Sequence, residues 1–265
     1  MLKASFYETV QDKSRWKILS EFAELHRRED YAFLTTVNAE FTSIKSGNMV
    51  KTTSDYGRTY LSRKDVELNG DVRITSQQGY LFRMENLTYS GRSHMFQSAD
   101  QVRMEGPDPL KPKMRLRGVG LLGNAETEHF ILKKNVFGER RLGNSGDWLK
   151  ITSQQGEFFT AEQRSLFIGK VKANLPKMVV DCDKMRLLLA GDAEDIEAKG
   201  NVKIVTKGRT AYADSAAMTI GGNSILLEGK ARVDSKDNQI RGRKILLFTD
   251  EDRIEVEDAE GSSSS

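Results

Sequence analysis

Apolar and polar residues alternate along most of this chain, most clearly from Asp195 to Phe248. Ile196, Ala198, Gly200, Val202 and Ile204 share one parity while Glu197, Lys199, Asn201 and Lys203 share the other, the mark of a strand with one dry and one wet face. After Thr206-Lys-Gly-Arg209 the chain returns through Ala211 and Ala213, but Ala216, Met218 and Ile220 fall on the opposite parity. One extra residue near Asp214-Ser215 restores the facing, so a β-bulge is predicted there. The phrase restarts at Ile225-Leu-Leu-Glu-Gly229, with Ala231 and Val233 inward, and returns from Gln239 to Phe248. Gly221-Gly-Asn-Ser224 and Ser235-Lys-Asp-Asn238 supply hairpin turns.

Copies of the phrase occur upstream. Val66-Glu-Leu-Asn-Gly70-Asp-Val72-Arg-Ile74 returns as Tyr80 to Tyr89, where Phe82 and Met84 face one way and Leu87 and Tyr89 join them only across a bulge. Leu149 to Phe158 reads as a returning half, Leu166 to Ala173 as a leading half and Met178 to Leu187 as its return. Gly169, Gly200 and Gly229 follow one another at about thirty residues, one hairpin per unit. A hairpin cannot bury its apolar face alone, so the units must stack. Asp55, Asp183 and Asp214 occupy one slot beside the bulge, either with a shared role or as ordinary exposed acids.

At the start, Leu2 to Ser14 has no clear period and reads as an arm or an edge strand. From Arg15, Trp16, Ile18 and Ser20 share a parity that Ala23 and Leu25 then reverse. Pro107, Pro109 and Pro112 mark a loop. Gly143-Asn-Ser-Gly146 is the predicted boundary, giving domains 1–145 and 146–258 and an unstructured tail 259–265. Arg253-Ile254-Glu-Val256-Glu257 alternates once more and is expected to be the final strand, with Ile254 and Val256 on a docking edge.

Composition narrows the picture. With 38% of residues hydrophobic and 30% charged, the sheets must be wet on one face. A net charge of +3 gives no support to nucleic acid as a partner. Cys182 stands alone, so no internal disulfide forms. No window is apolar enough to span a bilayer and the first residues are no signal peptide, which leaves a cytosolic protein or one whose targeting segment was removed.

Chemistry finds no foothold. Gly118-Val-Gly-Leu-Leu-Gly123 matches the dinucleotide fingerprint without a following helix and reads as a glycine-rich turn between strands. His26, His94 and His129 are scattered, so no metal site or cofactor is expected. Ser145 is not in a nucleophile elbow, and Glu194/Asp195 and Asp250/Glu251/Asp252 sit at turns where solvated charge is ordinary. No catalytic residue is expected.

The phrases resemble the lipopolysaccharide-transport bridge proteins, the OstA-like family that includes LptA and LptC. Ile196 to Ile204, Ala211-Tyr-Ala-Asp214 and Ile240-Arg-Gly-Arg243 are similar to LptA, covering roughly Leu149 to Glu257. Trp16-Lys-Ile-Leu-Ser20, Val66 to Val72 and Val102-Arg-Met-Glu-Gly-Pro107 are similar to LptC, covering roughly Arg15 to Arg141. The resemblance implies an all-β chain of tandem twisted, open antiparallel β-jelly rolls in the periplasm, non-catalytic, whose apolar groove holds the acyl chains of lipid A. It implies as partners lipopolysaccharide, an inner-membrane ABC transporter, and further jelly rolls or the outer-membrane translocon, met by edge-strand pairing. LptC proteins begin with a membrane-spanning helix and none is visible here, so an anchor is expected only in a segment absent from this sequence.

Parity then names the lining. Val72, Ile74, Phe82, Met84, Leu87 and Tyr89 are expected to line the first groove, and Val202, Ile204, Ala213, Met218, Ile220, Ala231 and Val233 the second. Two rivals remain at this point: a structural β-solenoid of the cell envelope filled by its own side chains, and a carbohydrate-active enzyme on a β-repeat fold.

Overall fold

The computed structural model describes residues 4–10, 13–43, 47–124, 126–127, 129–142, 146–188, 194–236, 238–251 and 253–257. Among the described residues every regular element is a β-strand, and the strand pairings are antiparallel. The chain divides into two compact units between Lys134 and Asn135. Of the predicted boundary turn, Gly143 to Ser145 lie outside the described residues, as does the tail from Asp258.

The first unit is a meander of β1 (Ala4–Val10), β2 (Lys13–His26), β3 (Tyr31–Thr42), β4 (Met49–Tyr60), β5 (Val66–Ser76), β6 (Leu81–Ser90), β7 (Met95–Gly106) and β8 (Met114–Asn124), each bonded to the next. The aperiodic opening is therefore a strand, set by pairs such as Phe6 with Ile18. Strand β9 (His129–Arg141) contains the division between the units. The second unit continues with β10 (Trp148–Ser153), β11 (Gln155–Phe159), β12 (Arg164–Leu175), β13 (Met178–Leu188), β14 (Asp195–Thr206), β15 (Arg209–Thr219), β16 (Ser224–Ser235), β17 (Gln239–Phe248) and β18 (Ile254–Glu257). β10 and β11 are two halves of one returning strand bent at Gln154, since both pair with β12.

Most strands bend at mid-length, and the glycines make the bend. Gly70-Asp71, Gly169-Lys170, Gly200-Asn201 and Gly229-Lys230 each hold two successive residues at positive φ. Such a pair is tolerable only because the first residue has no Cβ. The register places the extra residue there too: Lys199 pairs with Ser215 and Val202 with Ala213, so Gly200 and Asn201 together face Asp214 alone. The parity break is at Asp214-Ser215 as read from the sequence, but the bulge that causes it is on the opposite, glycine-bearing strand.

The bends carry the long strands from one layer to a second, and the apolar faces meet between. In the first unit Phe41 of β3 touches Tyr89 of β6, at 4.8 Å between ring centroids, and Phe96 of β7, at 5.1 Å. These strands are not neighbours in the sheet, so the contact crosses the interior. In the second unit Arg140 of β9 reaches Glu194, just before β14, although β10 to β13 lie between in the sheet order.

Candidate functional site

The inward positions of both units are mostly apolar, with the buried hydroxyls of Thr52, Ser54 and Thr59 of β4 set beside the apolar positions of β5 in the first. Val72 faces Met84 across β5 and β6, Ile74 faces Phe82, Leu68 faces Leu87 and Val66 faces Tyr89. In the second unit Val202 faces Ala213, Ile204 faces Ala211, Ile196 faces Met218 and Ala211 faces Val233. Val72, Ile74, Met84, Leu87, Tyr89, Val202, Ile204, Ala213, Met218, Ala231 and Val233 are all 7% exposed or less. Two expected lining residues differ. Phe82 is half-buried on the inner face, and Ile220 is half-buried in the turn after β15, where its N–H donates to the Glu194 carbonyl at 2.7 Å.

The rim of the first interior is aromatic. Phe82 meets Phe130 of β9 edge-on, with centroids 5.2 Å apart, and both rings are partly exposed. On β2, Ala23 and Leu25 pair with the buried Leu34 and Ala32, which puts them on the inner face, yet Leu25 is 46% exposed. Sequence parity could not single out Phe130 or Leu25, because their role depends on contacts between layers and on an uncovered edge. A cavity of about 130 Å³ also lies in this unit, lined by Phe6, Tyr7, Trp16, Thr59, Tyr60 and Lys64 among others.

The bends share a second device. Ser54, Ser153 and Cys182, each inward at its bend, donate to the carbonyl two residues on, at 2.8, 2.8 and 3.3 Å. The next residue in each case, Asp55, Gln154 or Asp183, lies against the glycine of the following strand. Burial pushes the Cys182 thiol up from 9.0 to about 11, and the like charges of Asp183 and Asp181 add to the effect.

The residues weighed for chemistry have structural partners. Glu194 accepts two bonds from Arg140, at 2.7 and 2.9 Å, and Asp195 accepts one from Thr219 Oγ1 at 2.7 Å. Asp250 pairs with Lys177 and Glu251 with Arg253. His26 stacks on Tyr31, and His94 Nδ1 meets the Tyr89 hydroxyl at 3.3 Å. Gly118 to Gly123 lie within strand β8, not in the turn between strands that the sequence suggests. Ser145 and Asp252 lie outside the described residues. Among the described residues no three His, Cys, Asp or Glu side chains are grouped to hold a metal, and no helix is long and apolar enough to cross a membrane.

At the C-terminal end, β18 pairs with β17 through Lys244–Glu257, Ile245–Val256, Leu246–Glu255 and Leu247–Ile254. The Phe248 N–H donates to the Arg253 carbonyl, which fixes that pair as hydrogen-bonded. Alternation along an antiparallel ladder then makes Ile254 and Val256 non-bonded positions, with their N–H and C=O groups directed away from β17.

Comparison with known proteins gives two family matches. The model for lipopolysaccharide-assembly, LptC-related proteins matches residues 4–140, just over half of the chain. The model for the LptA/(LptD N-terminal domain) LPS transport protein matches residues 150–253. Among solved structures, LptH from Pseudomonas aeruginosa, the LptA-homologous periplasmic component of the lipopolysaccharide transport device, is similar at 17% identity. The likeness covers 43% of this chain and 85% of that one, with a TM-score of 0.40. No curated protein matches the chain.

Proposed function

We propose, since this chain belongs to the LptC-related lipopolysaccharide-assembly family, that it carries lipopolysaccharide across the periplasm as part of a protein bridge and does no chemistry on it. The second family match supports a tandem arrangement, an LptC-like part over 1–145 and an LptA-like part over 146–258, so that one chain supplies two carrier segments. The acyl chains of lipid A lie between the two layers of each unit, against Val72, Met84 and Tyr89 in the first and Val202, Met218 and Val233 in the second. The inner-membrane ABC transporter loads the bridge. The edge at Ile254 and Val256 pairs with the next jelly roll or with the outer-membrane translocon. An inner-membrane anchor belongs to this reading only as a segment outside the present sequence.

The observation that carries the lipid reading is the aromatic rim. A folded sheet that is mostly apolar on the inside of both layers, with Phe82 and Phe130 half-buried where the layers meet, lets an acyl chain enter by parting one edge contact and leaves the bends intact. The core residues are buried against one another, so uptake requires the layers to separate. Photo-crosslinking side chains at Phe82 and Met218 should capture lipopolysaccharide, and those at the outward Arg83 and Thr219 should not. Equal capture at all four positions, or at none, would sink this reading and favour a self-filled structural scaffold.

A further inference from the structure

The outer face of the first unit carries an arginine ladder. Arg73 pairs directly with Arg83, Arg83 with Arg103 and Arg103 with Arg117, one from each of β5, β6, β7 and β8. All four are exposed. At ordinary strand spacing the row is about 15 Å long. Like charges directly opposite one another destabilise a sheet, and this row sets three such contacts in succession. Internal neutralisation is partial. Asp71 binds Arg73, and its carboxyl is held below the usual carboxylate range chiefly by those hydrogen bonds, with the charge of Arg83 adding. Arg83 and Arg103, at the centre, make no ion pair among the described residues.

We propose that this ladder is a docking surface for the phosphate groups of an anionic phospholipid bilayer. Guanidinium forks match phosphate oxygens in pairs and are weakly hydrated, so a rigid row of them suits a plane of phosphates. The neighbouring outer row, Thr75, Leu81, Glu105 and Arg115, offers one aliphatic side chain and no aromatic one. A protein interface needs a cluster of desolvated apolar anchors, and beside the ladder only Leu81 is offered, whereas adsorption to headgroups needs only the charge. The ladder lies on the opposite face of the strands from Val72, Ile74 and Met84, so it is independent of lipid uptake into the interior.

The test is flotation of the full chain with vesicles of phosphatidylglycerol and phosphatidylcholine, and with phosphatidylcholine alone. Neither contains lipopolysaccharide, so failure here leaves the carrier reading untouched. The parent should float with the anionic vesicles only, and release at high salt. Arg83→Gln/Arg103→Gln should bind on the order of tenfold to thirtyfold more weakly, at about 1 kcal/mol per cation near the surface. Lys207→Gln/Lys236→Gln, which removes the same charge from exposed turns of the second unit, should bind as the parent does. The arginine pair should also unfold in urea at or above the parent midpoint, because the repulsion is relieved. No binding of the parent, equal loss in the lysine pair, full binding by the arginine pair, or a lowered midpoint would each overturn the proposal. So would binding to soluble polyglutamate with none to vesicles, which would assign the face to an acidic protein.

Discussion

The carboxylate of Asp183 occupies the space a side chain on Gly200 would need: a Cβ built there comes within 2.5 Å of Asp183 Oδ2. Asn201 Nδ2 donates to the same oxygen at 2.7 Å. Asp214 stands likewise at 2.5 Å over Gly229 and Asp55 at 2.7 Å over Gly70. The slot that these three acids share is thus a steric partner to the bulge of the next strand, and at Asp183 a polar one as well.

Two costs should separate at these glycines. Gly200→Ala meets both a left-handed backbone, φ +76°, and the carboxylate, and should lose roughly 2 to 4 kcal/mol. Gly208→Ala has φ +84° with nothing within 4 Å and should lose only about 1 to 2 kcal/mol. Urea midpoints of the two variants measure the difference. Adding Asp183→Ala to Gly200→Ala should recover part of the loss; no recovery would mean that the contact is not the cause.

These bends also mark the limit of what the sequence made legible. The dry and wet faces, the bend positions and the acidic slot follow from period two, because one sheet face is buried and any slip would expose it. Which strand carries the extra residue does not follow, since parity is lost on the returning strand while the glycine strand keeps its own. Parity cannot see between layers either. The contacts of Phe41, Phe96 and Phe130 are with partners distant in the chain, and β1 shows no clear period because half-buried Phe6 and exposed Tyr7 are adjacent aromatic residues on opposite faces. The arginine ladder needed the register of four strands before its residues could be seen as one row.

Closure of the first unit should depend on the aromatic contacts between layers. Tyr89, 3% exposed, packs against both Phe41 and Phe96, so Tyr89→Ala should cost roughly 3 to 5 kcal/mol and broaden thermal unfolding. Tyr56, 51% exposed, should cost under about 1 kcal/mol when cut to alanine. Similar losses in calorimetry would show that the interior contact does not hold the layers.

Cys182 fills a position that serine fills at other bends. Its folded pKa, about 11, is raised above the ordinary 9.0, so the folded state holds its proton more tightly than the unfolded chain. The stability this contributes is complete below pH 9 and is lost as pH rises toward 11. Cys182→Ser should keep the bond to the Lys184 carbonyl, fold as the parent does, and remove this alkaline limb from a plot of stability against pH. The thiol of the folded parent should react slowly with a thiol reagent at pH 8 and promptly in urea. Prompt reaction without urea would contradict the burial.

Ile254 and Val256 direct their backbone groups away from β17, so proline at Val256 removes a donor from the outer edge without breaking a bond of the β17–β18 ladder. Val256→Pro should therefore leave the urea midpoint within about 1 kcal/mol of the parent while weakening pairing with an added jelly roll severalfold. Glu255→Pro is the internal contrast, because Glu255 pairs with Leu246 at a bonded position and its loss should fray β18 itself. Glu255 and Glu257 flank Val256 and keep the edge charged, which discourages indiscriminate stacking while leaving backbone pairing available to a strand of matching charge. Size-exclusion or pull-down measurement with a purified partner unit reads docking, and urea unfolding reads the fold. If Val256→Pro docks as tightly as the parent and remains folded, the bridge contact lies on another edge.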